Sequence, residues 1–404
     1  MTMSYAISIF KYHRNTMKKT IIGLFVVLNL HAQTYEALLE LAINNNAQLQ
    51  ITGNQQEEKS LEGTITTRLK NPTLEVGVAD FSSRRLLREN EIGWSVGLSQ
   101  SLLLPSVKAD KKKLTQSQVE LAKQNYQLEK SMFIYRFNLN YLAYKEALQK
   151  ELLQTESLAI SKKILAVTQG RFSAGSIAKT ELLQAQIEQS EALSYAKVLS
   201  LETLQQKNTL LRFANLEKNT ELDAEHTFVQ NSTVSTHPLL VLTQKKEEVS
   251  LAKLAVASHN IESIELFSEI EAEPDQDIFR VGISLALPIF NQRSEEKQLA
   301  KIAISNQKLA LALGKKLLAL ELAQLQKEIV VQEVLKSNYE ALILEEEQLL
   351  TMYQEGYAIA KVNLLKLNML KKKLLDNREC LLEVTLAIEK NIIKINYLQG
   401  GQNE

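Results

Sequence analysis

Apolar residues recur every seventh position at Leu114, Leu121, Leu128, Tyr135 and Leu142, within a stretch that holds neither Gly nor Pro between Pro105 and Gly170. Seven-residue spacing marks a coiled-coil seam, and at about 1.5 Å per residue the stretch predicts a helix on the order of 90 Å long. A second rod is expected between Pro288 and Gly356, broken only by Gly314, with Leu318, Leu322, Leu325 and Ile329 and then Leu335, Leu342 and Leu349 on its stripe. Each rod is expected to turn at its glycine, Gly175 or Gly356, in a left-handed cap. A further apolar-periodic helix follows each turn, about 177–212 and about 358–398. Two helical hairpins of this length exceed any globular core.

Ahead of each rod the period changes from helical to two. Leu74, Val76 and Val78 alternate with Glu75, Gly77 and Ala79; Trp94, Val96, Leu98 and Leu102 alternate with Ser95, Gly97, Ser99 and Ser101. Ile264, Leu266 and Ile270 alternate with Glu265, Phe267 and Glu269, and Val281, Ile283, Leu285 and Leu287 with Gly282, Ser284 and Ala286. Four strands are predicted, about 72–80, 92–103, 261–271 and 278–288. One apolar face and one small or acidic face suit a barrel with lipid outside and water inside. Four strands cannot close a barrel, and an open edge in lipid leaves backbone groups without partners, so the pattern calls for a homo-oligomer that shares its strands.

The two halves repeat one another. Asn46-Ala47-Gln48-Leu49 returns as His237-Pro238-Leu239-Leu240, Leu74-Glu75-Val76 as Ile264-Glu265-Leu266, Val96-Gly97-Leu98-Ser99 as Val281-Gly282-Ile283-Ser284, and Phe172-Ser173-Ala174-Gly175 as Tyr353-Gln354-Glu355-Gly356. The offset drifts only from 191 to 181, so a unit of two strands and a helical hairpin stands twice in the chain. The division expected is a leader at 1–33, a first repeat at 34–235 with its hairpin about 106–215, and a second repeat at 236–404 with its hairpin about 290–398.

The leader rests on Lys18-Lys19, an apolar run from Ile21 to Leu30 and Leu30-His31-Ala32, a secretory signal with cleavage near Ala32. A single-pass anchor is the alternative, although the run is short for a bilayer span. The chain has 47 basic and 47 acidic residues, and four of the bases lie in the leader, leaving 43 against 47. That balance gives no bulk attraction for nucleic acid. Gly (13) and Pro (5) are few and gather at a handful of joints, which favours long elements. One cysteine, Cys380, rules out an intramolecular disulfide. His13, His31, His226, His237 and His259 show no metal-ligand spacing, and neither a phosphate loop nor a nucleophile elbow is present, so no enzyme, cofactor or metal site is expected.

At this point the chain resembles the TolC-type outer-membrane efflux proteins. The resemblance runs over 34–398: Glu36-Ala37 through Ala42 to Asn46 and Leu49, Asn71-Pro72, Gly97-Leu98-Ser99-Gln100, Arg171-Phe172-Ser173-Ala174-Gly175 with Leu182-Leu183-Gln184-Ala185-Gln186, and Leu287-Pro288. Ala47 departs from the family's usual proline. The resemblance implies a mainly α fold with membrane β structure: a homotrimer whose twelve-stranded β-barrel continues into an α-helical periplasmic tunnel. An equatorial belt would take about 35–60, 215–257 and the C-terminal end. The implied function is the exit duct of a tripartite efflux pump, with a periplasmic adaptor (membrane fusion) protein and an inner-membrane transporter of the resistance-nodulation-division type as partners, possible membership of the heavy-metal-efflux branch, and outer-membrane lipid around the barrel. Alternatives are a non-channel coiled-coil adaptor or surface protein, or an exit duct for type I protein secretion; substrate, pump and adaptor are left open.

The same resemblance assigns sites. Adaptor-docking tips would be Phe172, Gly175, Ile177 and Lys179 and, in the second half, Tyr353, Gly356, Ile359 and Lys361; their shared Ile-Ala-Lys suggests one surface presented twice, and plain hairpin turns are the alternative. A periplasmic gate would involve Glu181, Gln184, Asn363 and Lys366; the last two stand where well-known members carry an acidic pair, so the acidic ring is absent. It would open as 357–375 untwist against 172–190. Phe81, Trp94 and Phe279 suit a lipid interface, with strand packing as the alternative. Arg84, Arg85 and Arg88 lie in a rim loop, solvated or paired with lipid phosphate.

Overall fold

The computed structural model describes residues 34–81, 92–217, 220–231 and 235–400, so the leader and Arg84, Arg85 and Arg88 lie outside the described residues. The chain runs α1 (Tyr35–Asn44), α2 (Ala47–Thr67), β1 (Thr73–Asp80), β2 (Ile92–Leu103), α3 (Pro105–Ser173) and α4 (Lys179–Phe213). It then repeats as α5 (Pro238–Ser258), β3 (Ser263–Ala272), β4 (Asp277–Ser284), α6 (Ser294–Ala358) and α7 (Leu364–Leu398). The fold is mainly α with one small sheet. The rods α3 and α6 are 69 and 65 residues long, roughly 100 Å each at 1.5 Å per residue.

The duplication is physical as well as textual. Asn46 and His237, equivalent in the two halves, are both N-caps: Asn46 Oδ1 accepts the Leu49 amide at 2.9 Å, and His237 Nδ1 accepts the Leu239 amide at 3.1 Å. Each begins a helix of 21 residues that leads to the strand pair. All four strands form one antiparallel sheet in the order β1-β2-β3-β4, with β2 pairing β3 across the repeat boundary. β1 and β4 are therefore its edges.

Three clusters hold the rods, the smallest joining Leu325 of α6 to Ile395 and Leu398 of α7. Midway along α3, Phe133, Phe137 and Tyr141 pack with Tyr35 and Leu38 of α1, Leu210 of α4, Phe228 and Ile393 of α7. His226 stacks on Tyr35 with ring centroids 3.8 Å apart, and burial pulls its pKa down. Beside them Lys145 and Glu389 form a buried pair at 2.8 Å, with Lys145 also donating to the His226 carbonyl. Removing one member of such a pair leaves a buried charge and costs about 3–5 kcal/mol. This belt draws together α1, the segment after α4 and the end of α7. The second cluster, at the far end of the hairpins, joins Ile164, Ala185, Ile343, Leu350, Tyr357, Leu364, Leu367 and Leu374.

Two expectations about α6 need correction. The helix is unbroken at Gly314, where a Cβ would come within 2.9 Å of Leu240 Cδ2, so the glycine admits α5 instead of interrupting the rod. The seam also departs from the expected leucines. Leu325 and Ile329 are on it, but Leu335 and Leu349 are exposed, while Ile343, Glu346, Leu350 and Tyr357 are buried. The stripe continues one residue later than the leucines suggest, through Lys336, Tyr339 and Ile343, and so takes polar side chains where a purely apolar reading skips them.

Candidate functional site

Two features are candidates for function: the sheet with its two unlike faces, and the pair of hairpin tips. Period-two geometry sends alternate side chains to opposite faces. One face carries Leu74, Val76 and Val78, then Trp94, Val96 and Leu98, then Leu266 and Ile270, then Phe279, Val281 and Ile283, all solvent-exposed in the single chain. The strand register aligns Glu75, Gly97, Glu269 and Arg280 in one row across the opposite face. Glu265 and Glu271 share that face, and Arg280 bridges Glu269 at 3.2 Å and Glu271 at 2.5 Å. Gly282 makes room for the Phe267 ring beside β4; a Cβ there would meet Cζ at 2.6 Å. Trp94 and Phe279 project from the apolar face. Phe81 sits differently, with its ring against Gly93 on the polar face, 2.7 Å from where a Cβ would stand.

The first tip is a Schellman turn. Gly175 has φ +72°, its amide donates to Phe172 O at 2.8 Å, and the Ser176 amide donates to Arg171 O at 3.0 Å. Nothing lies within 4 Å of a Cβ at Gly175, so backbone handedness alone requires the glycine.

The second tip makes the same motif with other residues, which corrects the expected cap. Gly356 is inside α6, and the left-handed residue is Ala360, φ +62°. Lys361 N–H donates to Gly356 O at 2.8 Å, and Ala360 N–H to Tyr357 O at 3.2 Å. Gly356 has a steric role instead: a Cβ would lie 2.7 Å from Val362 Cγ2. Ile177-Ala178-Lys179 and Ile359-Ala360-Lys361 consequently differ in backbone, Ala178 being extended at φ −76°, ψ 154°. Ile177 is half-buried and Ile359 exposed; Phe172, Lys179 and Lys361 are exposed and Tyr353 is half-buried.

What locks the tips together was not singled out from sequence. Tyr357 is 1% exposed, its hydroxyl 2.9 Å from Thr168 Oγ1. Arg171 reaches across from α3, donating to Tyr357 O at 3.0 Å with its guanidinium 4.6 Å from the ring centroid. Farther along, buried Lys371 of α7 donates to Ser161 Oγ at 3.1 Å and lies 3.5 Å from Glu188. Arg378 pairs with Glu156 of α3 and Glu347 of α6, at 2.7 and 2.5 Å. Of the expected gate residues, Asn363 is the N-cap of α7, its Oδ1 accepting the Lys366 amide at 2.9 Å. Glu181 is in the first turn of α4, and Gln184 and the Lys366 side chain are exposed. The available signal was a polar residue on an apolar stripe, as at Thr168, Glu346 and Lys371.

His237 caps a helix and His259 Nε2 lies 2.7 Å from Asp110 Oδ2, so these histidines serve local structure. Among the described residues no group of three or more His, Cys, Asp or Glu side chains gathers to hold a metal ion, and no helix is long and apolar enough to cross a membrane.

No family model matches the chain, and no curated protein matches its sequence. Solved structures do match. The Campylobacter jejuni CmeC outer membrane channel superposes with TM-score 0.74 at 14% identity, covering 91% of this chain and 86% of that one. CusC, solved for the changes accompanying folding and transmembrane channel formation, gives 0.73 at 16% over 91% and 92%. The open state of the Neisseria gonorrhoeae MtrE outer membrane channel gives 0.71 at 15% over 90% and 88%. The fold is that of the TolC-type outer-membrane channels.

Proposed function

We propose that the chain is an outer-membrane channel, the exit duct of a tripartite efflux system. The observation that carries this is the sheet: an exposed apolar face, a charged opposite face and two unpaired edges on one protomer. An edge strand in lipid needs a partner, and three copies joined β4 to β1 make a closed barrel of twelve strands with lipid outside and the glutamate row inside. The hairpins then extend from the barrel as a tunnel through the periplasm. Exposed apolar residues on α4 and α6, such as Ile187, Val198, Val331 and Leu344, are the faces that neighbouring copies cover.

The tips are the surface offered to a periplasmic adaptor, which links the duct to an inner-membrane transporter of the resistance-nodulation-division type. The transporter drives export and the duct conducts passively. Opening separates the α7 end from the α3–α4 hairpin, and the contacts opposing it are those of Lys371, Arg378 and Tyr357. The cargo is small molecules or metal ions.

Conductance of the full-length protein in planar bilayers tests this directly. Discrete, long-lived conductance steps are expected, together with sensitisation of a strain lacking the gene to metal salts, antibiotics, dyes or detergents. A protein that washes from membranes in alkaline carbonate and conducts nothing overturns the reading.

A further inference from the structure

The lower end of the sheet carries apolar surface beyond what the strands require. β4 ends at Ser284, yet Leu285, Leu287 and Ile289 keep the odd-numbered parity of Phe279, Val281 and Ile283 and are exposed, and Phe290 is 100% exposed. Phe279 and Phe290 are eleven residues apart. The run stays clear of a turn only as far as Leu287, eight residues past Phe279, roughly 26 Å if extended or roughly 20 Å along the normal at a tilt of about 40°, most of the apolar height of a membrane barrel; there the Ile289 amide donates to Leu287 O at 2.9 Å and the chain bends. Phe290, fully exposed in that bend, follows the lower end of the run, opposite the rim that carries Trp94 and Phe279.

Positive charge gathers at the same level. Glu262 receives a hydrogen bond from Lys111 of α3 at 2.6 Å and pairs with Arg293, three residues past Phe290; its carbonyl accepts the Leu104 amide at 3.0 Å. The start of α3 is thereby tied to the Phe290 segment. Lys70, Lys108, Lys112 and Lys113 surround this junction, exposed and without an ion-pair partner among the described residues. No acidic residue occupies the first turn of α3, where a helix favours acids; the acids near the lysines are Asp110, paired with His259, Glu262, and Glu295 and Glu296 in the first turn of α6. With Asp110 and Glu262 engaged by His259, Lys111 and Arg293, the exposed lysines within the first nine residues of α3 are left to pair with an anion from outside.

From the continuity of this apolar rim with the lipid-facing sheet, and from its charge, we propose that it docks anionic phospholipid: Phe290 seats at the boundary of headgroups and acyl chains, and Lys108, Lys112 and Lys113 engage the phosphates. This rests on the barrel reading, and its test separates the two.

The full-length protein is reconstituted into phosphatidylethanolamine discs with a minor fraction of phosphatidylglycerol, and the lipid it retains on delipidation is counted. Several-fold enrichment of phosphatidylglycerol is expected, falling to parity when the three lysines become Gln while assembly size is unchanged. An indole moved to the rim, Phe290→Trp with Trp94→Phe, should be quenched by lipids brominated near the headgroup and shielded from iodide. Absence of enrichment, enrichment that survives the lysine changes, or an iodide-accessible indole overturns the proposal while Trp94 in the unaltered protein is still quenched by brominated lipid. Were Trp94 unquenched too, the barrel reading would fall and take this proposal with it.

Discussion

The two tips carry the same Ile-Ala-Lys tripeptide, beginning two residues after Gly175 and three after Gly356, and they fold differently. At the first, Gly175 itself turns left-handed; at the second, α6 runs past Gly356 to Ala358 and the left-handed residue is Ala360. The cause is Tyr357. Buried against the second cluster and bonded to Thr168, it gains by being helical, and extending the helix through it moves the turn four residues later relative to the glycine. Gly356 is then left with a packing task, making room for Val362. A duplicated sequence thus keeps its order of elements while one buried aromatic resets where the backbone reverses.

If that cause is right, Tyr357→Ala has the largest effect. Loss of a buried aromatic costs about 3–5 kcal/mol, of which the local share appears in hydrogen exchange at the second tip. Protection of the Lys361 and Val362 amides, which bond to Gly356 O, should fall by about 100-fold or more. The Ser176 amide at the first tip should change by less than about tenfold. Equal losses at both would show one cooperative unit and end the contrast.

The glycines come next and separate handedness from packing. Gly356→Ala inserts a methyl against Val362 and should cost about 1–3 kcal/mol, most of it regained in the double change with Val362→Ala. Gly175→Ala should cost about 1–2 kcal/mol because the strain is in φ, and no neighbouring truncation relieves it. Exchange at Lys361 for the first pair and at Ser176 for the second reads both. A Gly356→Ala loss that Val362→Ala leaves untouched would mean that Gly356 too is held by its backbone.

These local outcomes also mark what was legible beforehand. Strand alternation fixes faces without reference to packing, so the two-sided sheet was readable at Val76, Val96 and Val281, and the rods were readable from heptads. Leu335 and Leu349 misled because leucine marks burial anywhere, including under a neighbouring copy, whereas the seam within the chain accepts a half-buried Lys336 and a buried Glu346, the latter completed by Lys373 and Asn377. The gate position Asn363 looked like an altered ring residue, yet in the protomer it is a helix cap. The left-handed Ala360 had no signal at all, since alanine announces nothing about φ.

That silence yields the smallest and most discriminating prediction. Ala360→Gly removes the left-handed penalty of about 1–2 kcal/mol and, after the added freedom of the unfolded glycine, should stabilise the second tip by about 0.5–1 kcal/mol. Protection at Lys361 should rise about two- to fivefold. Ala178→Gly changes the same residue in the same tripeptide, but Ala178 is the extended N-cap of α4, where glycine's preference over alanine offsets its unfolded-state freedom, so the first tip should change by less than about 0.5 kcal/mol. A gain at the second tip with none at the first, from one substitution in the same tripeptide, would establish that the tips differ in backbone. Equal responses at the two tips would mean that the repeats close with a single geometry and that Tyr357 does not move the turn.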